Sequence, residues 1–296
     1  MKYKTLSIVF MCTLLSGCAC YMSGQFISSQ KVDNGITKNM EDKLSIFKKS
    51  VSVICTSPID GLNVIEKAIG TGINFIYKNW IWVLSCRHVV EPEFGKSKIN
   101  SFLRIYDKNS GQLRNTILTF KDTAKLRFHP DDFDDRTRDI ALFYFINISK
   151  ISQEYNIFKL PSEMDLPQLK DNDSLLILGY PSKDISYNIL FHDTGKELPL
   201  IILRANYLPF IQDSKLINYE KTAIEQSRAA VDDIEGLEGM SGSLVLVQHG
   251  TEYFPVGMVT GSGSRRIKTG TDTTKVNFIN FVHLRYLYDL LKNTEQ

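Results

Sequence analysis

From Val51 onward the chain is a succession of short runs rich in Val, Ile, Leu, Phe and Tyr, cut by Gly, Asn, Asp and Pro. That rhythm constrains the fold more than any other feature. The runs cover residues 51–56, 69–77, 80–85, 101–106, 115–120, 140–145 and 175–179, then 200–205, 221–229, 243–248, 254–260 and 276–280. Branched and aromatic side chains favour extended backbone, and breakers this close together leave no room for crossover helices. The strands should therefore pair antiparallel in sandwiches or barrels, not in βαβ units. Helical spacing is clear only at the end, where Phe281, Leu284, Tyr288 and Leu291 make an apolar stripe suited to core packing. The polar stretch 149–173, with Pro161 and Pro167, reads as a linker between two β units.

Composition supports a packed core: 43% of the 296 residues are hydrophobic, with 17 Phe and 13 Tyr. The 35 basic residues nearly balance 33 acidic ones, which gives no basic stripe and no expectation of a nucleic-acid partner. The 5 cysteines include no CxxC pair, so neither a zinc site nor a disulfide scaffold is expected.

The N-terminus has a separate logic. Lys2 and Lys4 precede an apolar run, residues 6–15, shorter than the about 20 residues needed to span a bilayer. A charged start and a short apolar core read as a secretory signal. The tetrapeptide Leu15-Ser16-Gly17-Cys18 resembles the lipobox of bacterial lipoproteins. The resemblance implies removal of residues 1–17, a lipid thioether on Cys18, and a cell-envelope location held by lipid, not by charge. Ala19 in place of Asp implies the outer membrane, facing the periplasm or the exterior. Residues 18–45 read as a flexible tether.

Three segments hold a His, an Asp and a Ser in settings that acyl transfer requires. In Trp80-Ile81-Trp82-Val83-Leu84-Ser85-Cys86-Arg87-His88, an apolar strand ends in a His that a rigid frame would hold at the solvent edge, as a general base needs. In Asp139-Ile140-Ala141-Leu142, an acid opens an apolar strand, where a partly buried carboxylate can orient an imidazole. In Gly239-Met240-Ser241-Gly242-Ser243, flanking glycines allow a tight turn that exposes a hydroxyl while backbone N–H groups converge on one oxyanion.

With the order His…Asp…Ser at separations of 51 and 102 residues, the chain resembles the trypsin-like serine endopeptidases. It is most similar to the bacterial branch that includes glutamyl endopeptidases and periplasmic heat-shock proteases. Ala68-Ile69-Gly70-Thr71-Gly72-Ile73 is similar to that family's Gly-x-Gly strand, Val83 to Val90 to its V-L-T-x-x-H-V-V, and Ile177-Leu178-Gly179-Tyr180-Pro181 to its G-Y-P turn. The likeness runs from about residue 51 to 291. It implies an all-β fold of two six-stranded antiparallel β-barrels, over 46–158 and 159–296, with a C-terminal α-helix. It further implies Ser241 as nucleophile, His88 as general base and then acid, Asp139 as the orienting acid, and the N–H groups of Gly239 and Ser241 as the oxyanion hole. The strand through Val259, Thr260 and Gly261 would line the substrate cleft. The substrate would be a protein or peptide, and neither a metal nor another cofactor is required.

The chain departs from the family at several positions. Met240 stands where bacterial relatives carry Asn, and Val259 where glutamyl specificity needs His, so cleavage after Glu is not expected. Glu235, six residues before Ser241, lies near the position whose carboxylate selects Arg or Lys in trypsin; the alternative is a surface acid within Asp232-Asp233-Ile234-Glu235. Only 55 residues follow Ser241, enough to finish a barrel and a helix, so no PDZ domain is expected.

Asp131, Asp132, Asp134 and Asp135 lack a calcium-loop pattern and read as a solvated turn, with one of them a competing triad acid. His129, His192, His249 and His283 have no catalytic setting, and Arg265, Arg266 and Lys268 read as a solvated basic loop. Cys55 and Cys86 are either a disulfide or two buried thiols. The sequence thus predicts a lipid-anchored envelope serine endopeptidase. The alternative is a catalytically inactive trypsin-fold lipoprotein that binds a protein or peptide, motivated by Met240 in the oxyanion turn and by the lack of a recognisable specificity pocket.

Overall fold

The structure is a computed structural model. It describes residues 26–28, 38–58, 67–93, 97–107, 112–120, 126–128, 139–147, 157–180, 200–208, 226–231, 239–269 and 272–293. They form two antiparallel sheets with few helices, so the all-β expectation holds at that level.

The first sheet is built from β2 (Val51–Pro58), β3 (Lys67–Tyr77), β4 (Trp80–Ser85), β5 (Ser97–Asp107), β6 (Gln112–Phe120), β7 (Leu126–Phe128) and β8 (Ala141–Asn147). Its order is β6-β5-β2-β3-β4-β8-β7. Strand β4 is buried on both faces from Ile81 to Ser85, which explains why its sequence is a continuous apolar run with no alternation.

The second sheet joins β1 (Phe26–Ser28), β9 (Ser174–Gly179), β10 (Ile201–Leu208), β11 (Gln226–Val231), β12 (Leu244–His249), β13 (Glu252–Thr269) and β14 (Asp272–His283). Here β9 pairs with β12 on one side and β10 on the other, so the ladder β9-β12-β13-β14-β11-β10 returns to its start. Alternate residues of its strands serve two cores, as a two-residue side-chain period requires. Leu175, Ile177, Val245 and Val247 join Val256, Ile279 and Phe281 in one cluster. Leu176, Leu178, Leu244 and Leu246 belong to a larger cluster shared with Val53, Ile73, Leu84 and Leu142 of the first sheet. The two sheets therefore meet through one continuous apolar core.

Several expectations need correction. Strands β1 and β7 were unforeseen; β1 adds to β10 outside the ring of six, and β7 adds to β8 at the edge of the first sheet. Part of the expected tether is structured, because Lys38–Ser50 form helix α1. Met40, Leu44 and Phe47 recur at four- and three-residue steps, Glu41 sits in the first turn and Lys48 and Lys49 in the last, which suits the helix dipole. Leu44 and Phe47 are buried, so the helix packs against the core and is not a free linker.

The stretch read as a linker is also partly packed. Ile157, Phe158 and Leu160 are buried, the Ile76 N–H of β3 donates to the Phe158 carbonyl, and the Leu160 N–H donates to the Ile76 carbonyl, both at 3.0 Å. At the C-terminus, Phe281 lies on β14 and Leu284 in a turn, and only then does helix α3 run over Arg285–Asn293. The basic residues Arg265, Arg266 and Lys268 lie on β13, laddered to β14, and not in a loop. Among the described residues, no helix is long and apolar enough to cross a membrane.

Candidate active site

The site grows out of one strand pair. Strands β4 and β8 run antiparallel with Ser85 opposite Ala141, so the end of one lies beside the start of the other. This places Asp139, two residues before β8, against helix α2 (Arg87–Val90), which follows β4 directly. Residues 51 apart in sequence thereby become neighbours.

The carboxylate of Asp139 holds His88 twice. Its Oδ1 accepts the His88 backbone N–H at 2.8 Å, and its Oδ2 pairs with the ring Nδ1. Asp139 is only 2% exposed, whereas the His88 side chain is 32% exposed. The acid is thus dry and fixed while the imidazole reaches the surface. A ring whose Nδ1 hydrogen bonds a carboxylate presents Nε2 as the proton acceptor. That Nε2 lies 3.1 Å from Ser241 Oγ, which completes a chain from Asp139 through His88 to Ser241.

Ser241 sits on a turn that leads into β12. Gly239 and Gly242 have φ of 89° and 90°, the left-handed region that an L side chain rarely adopts. A side chain at Gly242 would also place its Cβ 1.8 Å from the Thr71 carbonyl oxygen. The turn is tied internally by Ser243 N–H to Met240 C=O at 2.9 Å, and to β13 by Gly242 N–H to Val259 C=O at 2.8 Å. A trans peptide points its C=O and N–H in opposite directions. Engagement of the Met240 carbonyl therefore turns the Ser241 N–H the other way. Among the described residues, the N–H groups of Gly239 and Ser241 have no hydrogen-bond partner, as an oxyanion hole requires before its ligand arrives.

Met240 turns its side chain inward. It is 2% exposed in the core of the second sheet, 3.7 Å from Ser243 Oγ, and close to Gly179. Its bulk therefore anchors the turn from behind and does not fill the space in front of Ser241.

The strand residues named from the sequence occupy different settings. Val259 is buried, and both of its backbone groups serve the Ser241 turn, its N–H donating to Ser243 C=O at 2.9 Å. Its carbonyl also accepts the buried Cys86 thiol at 3.0 Å. Between Val259 and Gly261 the register with β14 shifts, leaving Thr260 as the extra, bulged residue. Thr260 is buried with Oγ1 donating to the Asn280 carbonyl, and Gly261 is half-buried with open space where a side chain would stand. Glu235, Cys18, His129, His192 and the 131–135 acids lie outside the described residues.

Cys55 and Cys86 are both buried, and no disulfide joins one to the other. Among the described residues, Cys86, His88 and Asp139 form the one group whose donor atoms lie close enough to share a metal ion. A cation bound there would break the hydrogen-bonded chain, since the ring and carboxylate already serve each other. His249 is exposed near Asp173, and His283 ends β14, its ring accepting the Arg285 N–H; neither belongs to the chain of hydrogen bonds. Sequence reasoning missed Thr71, whose contacts with the turn are described below; only its place in the Gly-x-Gly strand hinted at it.

Comparison with protein-family models finds no match for this chain, and comparison with curated proteins finds none either.

Proposed function

We propose that the protein is a serine endopeptidase of the trypsin-like fold, held at the cell envelope by a lipid on Cys18. The observation that carries this reading is the hydrogen-bonded chain Asp139–His88–Ser241 beside a turn in which the Gly239 and Ser241 N–H groups have no partner among the described residues. In this reading the ring of six β-pairings is the second barrel, and the first sheet is the wall of a first barrel that carries the acid and base.

The reaction follows from the geometry. Ser241 Oγ attacks the carbonyl carbon of a peptide bond while His88 Nε2 takes its proton. The carbonyl oxygen gains negative charge and is met by the N–H groups of Gly239 and Ser241. Collapse breaks the C–N bond, and His88 returns the proton to the departing amine. Water then repeats the cycle on the acyl-enzyme, giving a free acid and Ser241 restored. Asp139, dry and doubly bonded, keeps the ring in the tautomer that makes Nε2 basic. Met240, one motive of the inactive-binder alternative, turns its side chain inward and not towards Ser241 Oγ, which supports the catalytic reading.

The test is digestion of a mixed peptide library, read by mass spectrometry. New termini with wild type and none with Ser241→Ala support the endopeptidase. A folded wild type that leaves the library intact contradicts it, and the sites cut would define the preferred residues.

A further inference from the structure

We infer that Thr71, a residue of the first sheet, is a positioning residue for the oxyanion turn on the second. The inference rests on the catalytic reading above, and each can fail separately in the experiment below.

Thr71 lies on β3, fully buried. Opposite it across the ladder is Val53, so nothing in the sheet itself calls for a hydroxyl there. Its polar contacts reach the other sheet. Oγ1 accepts the Tyr180 backbone N–H at 3.0 Å. A hydroxyl has one proton to donate, and the carbonyls within reach are Gly239 at 3.3 Å and Tyr180 at 3.5 Å. The nearer one belongs to the oxyanion turn. The Thr71 backbone N–H donates to the Ser241 carbonyl at 2.9 Å. Its own carbonyl accepts the Ser85 hydroxyl at 2.8 Å and closes on the bare Cα of Gly242.

Together these contacts leave the turn little freedom. Its three carbonyls, on Gly239, Met240 and Ser241, are bound by Thr71 Oγ1, Ser243 N–H and Thr71 N–H respectively. Two of the three bonds come from one residue on the opposite sheet. Peptide planes pinned by their carbonyls have their N–H directions set. Thr71 thus sets the planes that carry the Met240 and Gly242 N–H groups, one on either side of the Ser243-held plane that carries the Ser241 N–H, and so brackets that oxyanion donor relative to His88, which the same sheet carries. Removing the hydroxyl would free the Gly239 carbonyl and take away the bond that the buried Tyr180 N–H makes to Thr71, loosening the turn where alignment matters most.

The probe is an alkyl fluorophosphonate. Its phosphorus bonds to Ser241 Oγ, fluoride leaves, the serine proton passes to His88, and the phosphoryl oxygen occupies the oxyanion position. Thr71→Val keeps the shape and loses the hydroxyl, whereas Thr71→Ser keeps the hydroxyl. We expect the maximal labelling rate of Thr71→Val to fall about 10- to 100-fold with little change in half-saturation, and Thr71→Ser to restore it. Amide exchange over residues 239–243 should quicken in Thr71→Val and return to normal in Thr71→Ser. If valine unfolds the sheet, Thr71→Ala carries the same comparison. Labelling and exchange both at wild-type values in the hydroxyl-free variant overturn the inference, as does a defect that serine fails to rescue. If wild type itself is not labelled, the catalytic reading falls, and amide exchange alone decides whether Thr71 holds the turn.

Discussion

At the scale of single residues, the site depends on which groups are kept dry and which are tied. Asp139 is buried and spends both oxygens on His88, so its charge has one use. His283 illustrates the reverse arrangement outside the site. Its Nδ1 accepts the Arg285 N–H at the start of α3, and the ring is largely buried near the Arg285 guanidinium. Burial first, and then that positive charge, lower its pKa from 6.5 to about 4, against a smaller opposing pull from the Pro167 carbonyl. The folded protein thus binds this proton more weakly than the unfolded chain does. The stability this difference confers is intact above pH 6.5 and is lost as pH falls towards 4. The loss should amount to roughly 3 kcal/mol over that window. Denaturant titrations of wild type and His283→Asn at pH 7 and pH 4 check it, because the asparagine variant should lack that component.

Residue motifs of this kind were the most legible part of the sequence. His88, Asp139 and Ser241 each sit at the end of an apolar strand or between glycines, and such local settings are written in adjacent letters. Thr71 was not legible, because its importance comes from contacts with residues 109 and 168 positions away. The fate of Cys86 was equally hidden. Nothing near it in sequence announces a thiol donating to the Val259 carbonyl.

At the scale of elements, the long apolar strands were readable and the short or polar ones were not. Strands β4 and β9 are nearly all apolar because both faces are buried. Strand β7 has three residues, too few for a period to emerge. Helix α1 is rich in Lys, Asp and Glu, so composition favoured a tether, although Met40, Leu44 and Phe47 already held a helical stripe. Its burial has a measurable consequence. Leu44 is 0% exposed, and Leu44→Ala should cost about 2–5 kcal/mol in chemical denaturation. A change near zero would mean that α1 does not dock. At the other end, the Tyr288 hydroxyl donates to the Pro161 carbonyl, which pins α3 to the segment joining the sheets.

At the scale of the whole molecule, the first sheet carries Asp139 and His88 and the second carries Ser241 and its glycine-flanked turn. Under the proposed function, acid and base therefore lie on one sheet and nucleophile and oxyanion donors on the other. The sheets share one apolar core that runs from Leu44 and Val53 through Leu178 and Met258 to Leu291. Such a core makes independent melting of the halves costly, because either half unfolding alone would expose the other's contact face. Calorimetry should therefore show a single transition, with equal calorimetric and van't Hoff enthalpies; two resolved transitions would contradict it. That the chain makes two antiparallel units was legible in the spacing of its strands. How their edges pair was not, because register depends on contacts far apart in sequence.

The central claim is that Asp139, His88 and Ser241 act as one nucleophilic relay. Its most direct test is reaction of the folded protein with a fluorophosphonate, followed by intact mass and peptide mapping. The account predicts one adduct, on Ser241, absent from Ser241→Ala and strongly slowed in His88→Ala. An unreacted wild type under conditions where a control protease is fully labelled, or an adduct on any other residue, would contradict it.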